Sequence, residues 1–308
     1  MDASTGAARE EWVAARQRIL DGPDWMAPDG PHSRWLGEMF SRAIVLFAWG
    51  MRLCGLYPCG KRNALAPVLV QFELSFPTLP EAFDGYRILH LTDTHLDLLP
   101  ELGAIAGRML EGVEVDLLAF TGDVLADWDA APETATGPLA EIIAGVRVRE
   151  RRLAILGNHD TTATAAALEV LGFEMLLNRT TAIDRQGQRI LVTGLDDVHH
   201  FYTPAAARAL QGDEAGFRIA LVHSPEMADH AAAAGVDLYL CGHTHGGQIC
   251  LPGGRALVTR LKRCRHAARG LWREGRTVGY TSRGLGVSGR PLRFNCPGEI
   301  TIITLRRG

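Results

Sequence analysis

Five short polar clusters in this 308-residue chain carry the residue types that hold divalent cations. They are Asp93-Thr94-His95, Gly122-Asp123, Gly157-Asn158-His159-Asp160, His223, and Gly242-His243-Thr244-His245-Gly246-Gly247-Gln248. The candidate metal donors are Asp93, Asp123, Asn158, His95, His223, His243 and His245, with His159 as a further imidazole beside them. Carboxylate combined with imidazole suits borderline divalent ions such as Mn, Fe and Zn. Thiolates are absent from the clusters, and Cys241, which adjoins the last one, reads as a small buried core residue. In an extended segment alternate side chains face the same way. Asp93 with His95, and His243 with His245, then form pairs that grip one centre or two neighbouring centres. Glycines before Asp123, Asn158 and His243 let the chain turn sharply and bring the next side chain close to an ion. A lone histidine such as His90 reads as structural, whereas five such clusters at strand ends are hard to explain as packing.

Short apolar runs precede the clusters and must position them. Strands are expected at Arg87 to Thr92, Asp116 to Thr121, Leu153 to Leu156, Phe217 to Val222, Val236 to Cys241, Thr277 to Ser282 and Glu299 to Leu305. Helices are expected at Pro100 to Glu111, Leu139 to Val146, Thr161 to Leu171 and Pro225 to Ala234, and a hairpin turns at Gln186-Gly187. Strand–helix alternation with buried apolar strands argues for an α/β layered sheet. Ligands of open α/β sheets bind beyond the carboxyl ends of the strands, which is where every cluster falls. Residues 1–75 read as a helical extension, with Val68 to Phe76 crossing into strand, and residues 76–308 as the main domain.

Composition sets outer limits. With 47% hydrophobic and 22% charged residues the chain has material for a large core. A net charge of -3 argues against electrostatic nucleic-acid binding, and 7% aromatic content gives no stacking stripe. Six scattered cysteines without a C-x-x-C pair read as free thiols in a reducing compartment. No secretory signal is visible. These features point to the cytoplasm. Ala43 to Tyr57 is apolar but broken by Arg52, and too short for a span, which needs about 20 apolar residues. Arg34, Glu38 and Arg42 give a helix with a narrow polar stripe, which either packs on its own domain or lies in a membrane interface on the inner face. Residues 255–276 hold eight Lys/Arg against Glu274, either a solvated basic loop or a surface that attracts phosphate and anionic membrane.

Taken together, D-x-H, G-D, G-N-H-D, a single His and G-H-T-H resemble the calcineurin-like metallophosphoesterase family, over Leu79 to Leu305. The resemblance implies a four-layer α/β/β/α sandwich and a two-metal hydrolase of phosphodiesters or pyrophosphates, in which a metal-bridging hydroxide attacks in line. It implies that Asp93, His95, Asp123 and His245 ligate one metal, and that Asp123 bridges to a second completed by Asn158, His223 and His243. His159 would be the catalytic histidine, with Asp160 as a candidate to orient it. Further motifs are Leu79-Pro80-x-x-Phe83-x-Gly85, Gly194-Leu195-Asp196-Asp197, Gly246-Gly247-Gln248 and Ser282-Arg283-Gly284-Leu285-Gly286. They resemble a bacterial branch whose members often carry an N-terminal membrane anchor. That branch includes broad phosphodiesterases and enzymes that split UDP-2,3-diacylglucosamine; the better-known of the latter have Arg where this chain has His159. A phosphorylated small molecule or a lipid-linked phosphate is therefore the expected substrate. Arg283, Arg290, His199 and His200 are candidate substrate-binding residues. Alternatives are a broad soluble phosphodiesterase or phosphomonoesterase, and a non-catalytic scaffold on the same fold.

Overall fold

The computed structural model describes residues 3–22, 31–212 and 215–308, and leaves side chains undescribed at 3–8, 31–38, 40 and 41. The polar stripe residues Arg34 and Glu38, and Phe40 two residues further on, therefore lie outside the described side chains. The chain opens with helices α1 (Ala3–Leu20), α2 (Pro31–Leu53) and α3 (Tyr57–Ala64), then enters strands β1 (Val68–Phe76) and β2 (Arg87–Leu91). Strands and helices alternate from there: α4 (Glu101–Met109), β3 (Val113–Thr121), α5 (Glu133–Gly145), β4 (Val146–Ile155), α6 (Thr162–Val170) and β5 (Glu174–Met175). The second half runs β6 (Arg179–Arg185), β7 (Gln188–Gly194), α7 (Pro204–Leu210), β8 (Phe217–Leu221), α8 (Ala228–Ala233), β9 (Leu238–Cys241), β10 (Gly270–Glu274), β11 (Thr277–Thr281) and β12 (Glu299–Arg307).

Two six-stranded sheets result, in the orders β1-β12-β2-β3-β4-β5 and β10-β11-β9-β8-β7-β6. The period-two alternation of side chains divides each strand between two cores. In β3, Leu117 and Ala119 face the second sheet, where they join Ile219, Leu221, Leu238 and Leu240. Leu118 and Phe120 face the other way, onto Leu102, Ala106, Leu139 and Ile142 of α4 and α5. The outer face of the second sheet is covered by α7 and α8 through Ala206, Leu210, Ala228 and Ala231. The layers are thus helix, sheet, sheet, helix, as the alternating pattern and the family resemblance both implied. Each fully buried leucine or phenylalanine contributes roughly 1.5–3 kcal/mol relative to exposure.

Two expectations need correction. The domain boundary placed after residue 75 cuts through β1, which pairs in parallel with β12 along its whole length, from Val68↔Glu299 to Phe76↔Arg307. The sheet therefore starts at Val68. Asp93, His95, His243 and His245 are not in extended strand: their φ angles are 49°, 39°, 71° and 51°. They lie just past the strand ends in left-handed backbone, so strand alternation is not what aims them. Non-glycine residues rarely adopt this region, and its concentration here marks a site held by its surroundings.

Among the described residues no single helix is long and apolar enough to cross a membrane; Arg42–Leu53 and Tyr57–Ala64 reach that composition only as a pair bent by 110°. In α2, Leu46, Trp49 and Leu53 project into solvent, as do Met39, Val45 and Phe47 to a lesser degree.

Candidate metal centre

The clusters converge because the strands that carry them are parallel neighbours. β2, β3 and β4 are parallel in the first sheet, and β8, β9 and β11 in the second. Their carboxyl ends meet across the sandwich. Backbone bonds knit the loops together: the Asp93 amide donates to the Gly122 carbonyl at 2.9 Å, that of Gly242 to His223 at 2.9 Å, and that of Gly286 to Asp93 at 2.8 Å.

The side chains form two groups that approach each other at Asp123. In the first, Asp93, His95 and His245 bring ligand atoms within 4.8 Å of one another. His95 Nε2 stands 3.2 Å from His245 Nε2, and His245 Nε2 stands 3.4 Å from Asp93 Oδ1. In the second, His243 Nδ1 is 2.8 Å from Asn158 Oδ1 and 3.3 Å from His223 Nε2. Asp123 Oδ2 sits between them, 3.6 Å from His95 Nε2 and 3.2 Å from His223 Nε2. Asp93 also reaches the second side, in a set with Asp123 and His223.

The donor chemistry fits cations. His95 Nδ1 faces the Leu125 carbonyl at 2.7 Å and His223 Nδ1 faces that of Thr121 at 2.8 Å. Each carbonyl can only accept, so it fixes a proton on Nδ1 and leaves the Nε2 lone pair of the neutral ring for a metal. Burial pushes His95 down to about 4 and also lowers His243 and His245, which favours neutral, ligating rings. Burial would lower His223 as well, but the charges of Asp123, Asp93 and Asp197 override it and hold it above its usual range. Asp123 is held down by His223 and His159 against its own burial, while burial pushes Asp93 up to about 6. His243 Nε2 and His245 Nδ1 are buried without a hydrogen-bond partner.

Two glycines permit the close packing. A Cβ on Gly157 would stand 2.1 Å from Asp123 Oδ1, and one on Gly242 would stand 2.0 Å from Asp93 Oδ2. Gly157→Ala and Gly242→Ala are each expected to displace a ligand carboxylate and weaken metal affinity by about 10–100-fold, the range for a disturbed supporting shell. Metal titration by calorimetry checks this; unchanged affinity in both variants rejects it.

His159 lines the cavity above the two groups, and its backbone amide donates to Asp123 Oδ1 at 2.9 Å. Its ring is oriented by the Ala126 carbonyl, 2.7 Å from Nδ1. Asp160 does not orient it, contrary to the sequence expectation. The Asp160 carboxylate is turned the other way and accepts the amides of Asp123 at 2.7 Å, Val124 at 3.0 Å and Gly157 at 2.8 Å. It shapes the loops that carry Asp123 and Asn158.

A cavity of about 490 Å³ opens over the centre. Arg290, His199 and His200 line it, and the His199 ring lies 4.5 Å from that of His243. Arg283 is not among the lining residues; its guanidinium pairs with the buried Glu299. Of the eight basic residues in 255–276, only Arg260 reaches the cavity. Arg263 pairs with Asp229, and Arg265, Arg269 and Arg276 bond the carbonyls of Leu261, Gly254 and Gly235. These four are anchored into the fold, and the segment runs into the β10–β11 hairpin. Sequence reasoning missed Ile44 and Phe47 of α2, which form part of the cavity wall, and Trp128. It also missed Arg293, fully buried, which donates to the carbonyls of Arg283, Gly284, Gly286, His245 and Cys296. No local pattern marks that residue.

A two-sheet sandwich with carboxylate and imidazole donors at the strand ends defines a metal-dependent phosphoesterase. The profile of the calcineurin-like phosphoesterase family matches residues 86–247, more than half of the chain, and the chain belongs to that family. It is 30% identical to the metallophosphoesterase YkuE of Bacillus subtilis, over 74% of this chain and 82% of the relative. It is also 30% identical to the phosphodiesterase YaeI of Escherichia coli, over 71% of this chain and 82% of that one. A transmembrane protein with a metallophosphoesterase domain from Danio rerio is 27% identical, over 79% of this chain and 58% of its own length.

Proposed function

We propose that the chain is a dinuclear-metal hydrolase of a phosphodiester or pyrophosphate, and that its substrate is lipid-linked, such as UDP-2,3-diacylglucosamine. The observation that carries the reading is the cavity itself. Its floor is the paired donor set at Asp123 and its wall joins apolar Ile44, Phe47, Leu257 and Val258 to the cations Arg260 and Arg290. A phosphate with an acyl chain matches both halves of that lining. The name of the Escherichia coli relative, a phosphodiesterase, supports the diester class.

In this reading Asp93, His95, Asp123 and His245 hold one cation, and Asp123, Asn158, His223 and His243 hold the other. Mn is the first choice among Mn, Fe and Zn for this donor set. Such a pair supplies charge neutralisation at the phosphoryl oxygens and a hydroxide nucleophile at neutral pH. The chain contributes positioning, which is most of what phosphoryl transfer requires. Arg260 and Arg290 grip the non-reacting phosphate oxygens. His159, with Nδ1 on the Ala126 carbonyl, presents Nε2 to the leaving oxygen and donates a proton as the imidazolium. The exposed apolar face of α2, with Arg42, Arg52, Lys61 and Arg62 nearby in sequence, rests the protein on an anionic membrane surface.

The test uses the full chain with added Mn and three substrates: a chromogenic diester, a chromogenic monoester and UDP-2,3-diacylglucosamine. The double variant Ile44→Ser, Phe47→Ser is expected to raise KM about tenfold for the acylated substrate, equivalent to about 1.4 kcal/mol of lost apolar contact. KM for the soluble diester should hardly change. Equal losses on both would leave a soluble phosphodiesterase whose α2 serves packing. Binding to anionic vesicles should weaken but persist as salt rises; no binding at low salt rejects the membrane part.

A further inference from the structure

Helix α1 lies outside the segment matched by the family profile, yet two of its side chains reach the loops that build the site. Arg16 is 2% exposed. Its guanidinium grips the Asp196 carboxylate through Nε at 2.9 Å and Nη2 at 2.6 Å, and Nη1 donates to the Asp160 carbonyl at 2.6 Å. Trp12, one turn earlier, donates its indole N–H to Asp196 Oδ2 at 2.7 Å. One guanidinium therefore ties the loop after β4, which carries Asn158 and His159, to the loop after β7, which carries His199 and His200. These loops belong to different sheets.

Both ends of the tie continue toward the cavity. Asp196 Oδ1 accepts the amide of Asp197, and the Asp197 carboxylate accepts those of His199 at 3.1 Å and His200 at 2.7 Å. Arg16 also stacks over Phe201 at 4.0 Å, and Phe201 packs on Trp128, a wall residue, at 5.7 Å. On the other side, the residue whose carbonyl Arg16 holds is Asp160, whose carboxylate organises the amides around Asp123. A fork of five donors in one plane can hold two such acceptors at fixed separation; an ammonium cannot.

We infer that Arg16 is a positioning residue, the clasp by which α1 fixes the separation of the two halves of the site. The inference rests on the reading of His159 as the proton donor above the metals. A clasp of this kind acts on rate, since a misplacement of about 1 Å in a preorganised site costs on the order of 10²-fold.

The experiment compares the full-length protein with Arg16→Ala, Arg16→Lys and Trp12→Phe, the last of which removes one hydrogen bond and keeps the bulk. For Arg16→Ala, kcat on the chromogenic diester should fall about 10²-fold with KM and metal content little changed. Free guanidinium ion, below denaturing concentration and against sodium chloride of equal ionic strength, should restore part of it. Arg16→Lys should lose activity nearly as far, and Trp12→Phe only a few-fold. Hydrogen exchange on the metal-free protein supplies a second readout: amides of 197–201 and of Asp123, Val124 and Gly157 should exchange faster in Arg16→Lys than in the parent. Unchanged kcat in Arg16→Lys and Trp12→Phe overturns the inference, as does a loss of kcat that follows metal content. An inactive parent would instead count against the phosphoesterase reading, and the exchange result would still decide the clasp.

Discussion

Asp123→Ala is expected to abolish phosphodiester hydrolysis to the limit of detection. The carboxylate stands between the two groups of donors, with Oδ2 within 3.6 Å of His95 and 3.2 Å of His223. Its removal takes a ligand atom from both sides at once. Oδ1 meanwhile accepts the backbone amide of His159, so the same substitution releases the proposed proton donor from its place. Asp123→Asn separates the two effects. The amide oxygen can still accept from His159, but the neutral group no longer offsets cationic charge. Both variants should therefore lose activity, with the His159 loop retained only in Asn. Metal analysis together with turnover on a chromogenic diester checks this. Wild-type turnover in Asp123→Ala, with two metals bound, would remove the bridging assignment.

His159→Ala should behave differently. The ring packs edge-on against His95, with centroids 5.4 Å apart, and is oriented by the Ala126 carbonyl, outside both donor groups, so metal content should stay near the parent level. Turnover should fall by about 10²–10⁴-fold, the range for a positioned proton donor. The loss should shrink for leaving groups that are stable as anions, because these need no proton. A series of aryl phosphodiesters of graded leaving-group acidity measures this directly. If metal occupancy falls in step with rate, His159 is a ligand and the acid role is lost.

Much of the site was legible because each donor cluster immediately follows a run of apolar residues long enough for a buried strand. Gly122-Asp123 after the run to Thr121, and Gly242-His243 after the run to Cys241, announce both the strand and its end. His90 and Cys241 were also legible as core: His90 is buried against Thr121, with burial lowering it to about 3, and the Cys241 thiol lies against Thr281. What sequence could not supply was direction and distance. Asp160 adjoins His159 and has the right chemistry to orient it, but three amides across the loop compete for its carboxylate and win. Arg283 sits in a glycine-rich turn by the centre, yet Glu299, sixteen residues on, takes its charge. The contact of Arg16 with Asp196 spans 180 residues, and nothing in the local pattern of α1 announces a partner so remote.

The place of β12 has a consequence for how the protein is made. It lies between β1 and β2, parallel to the first and antiparallel to the second. Strands from the opening third of the chain therefore cannot join until residues 299–307 have left the ribosome. The donors between Asp93 and His245 can gather earlier, on β2, β3 and β4 and on β8 and β9, while β1 waits as an unpaired edge bearing Val70, Phe72 and Leu74. Such late, long-range closure is slow and leaves an exposed edge open to wrong pairing. During synthesis the vulnerable species is a nearly complete centre carried on an unfinished sheet.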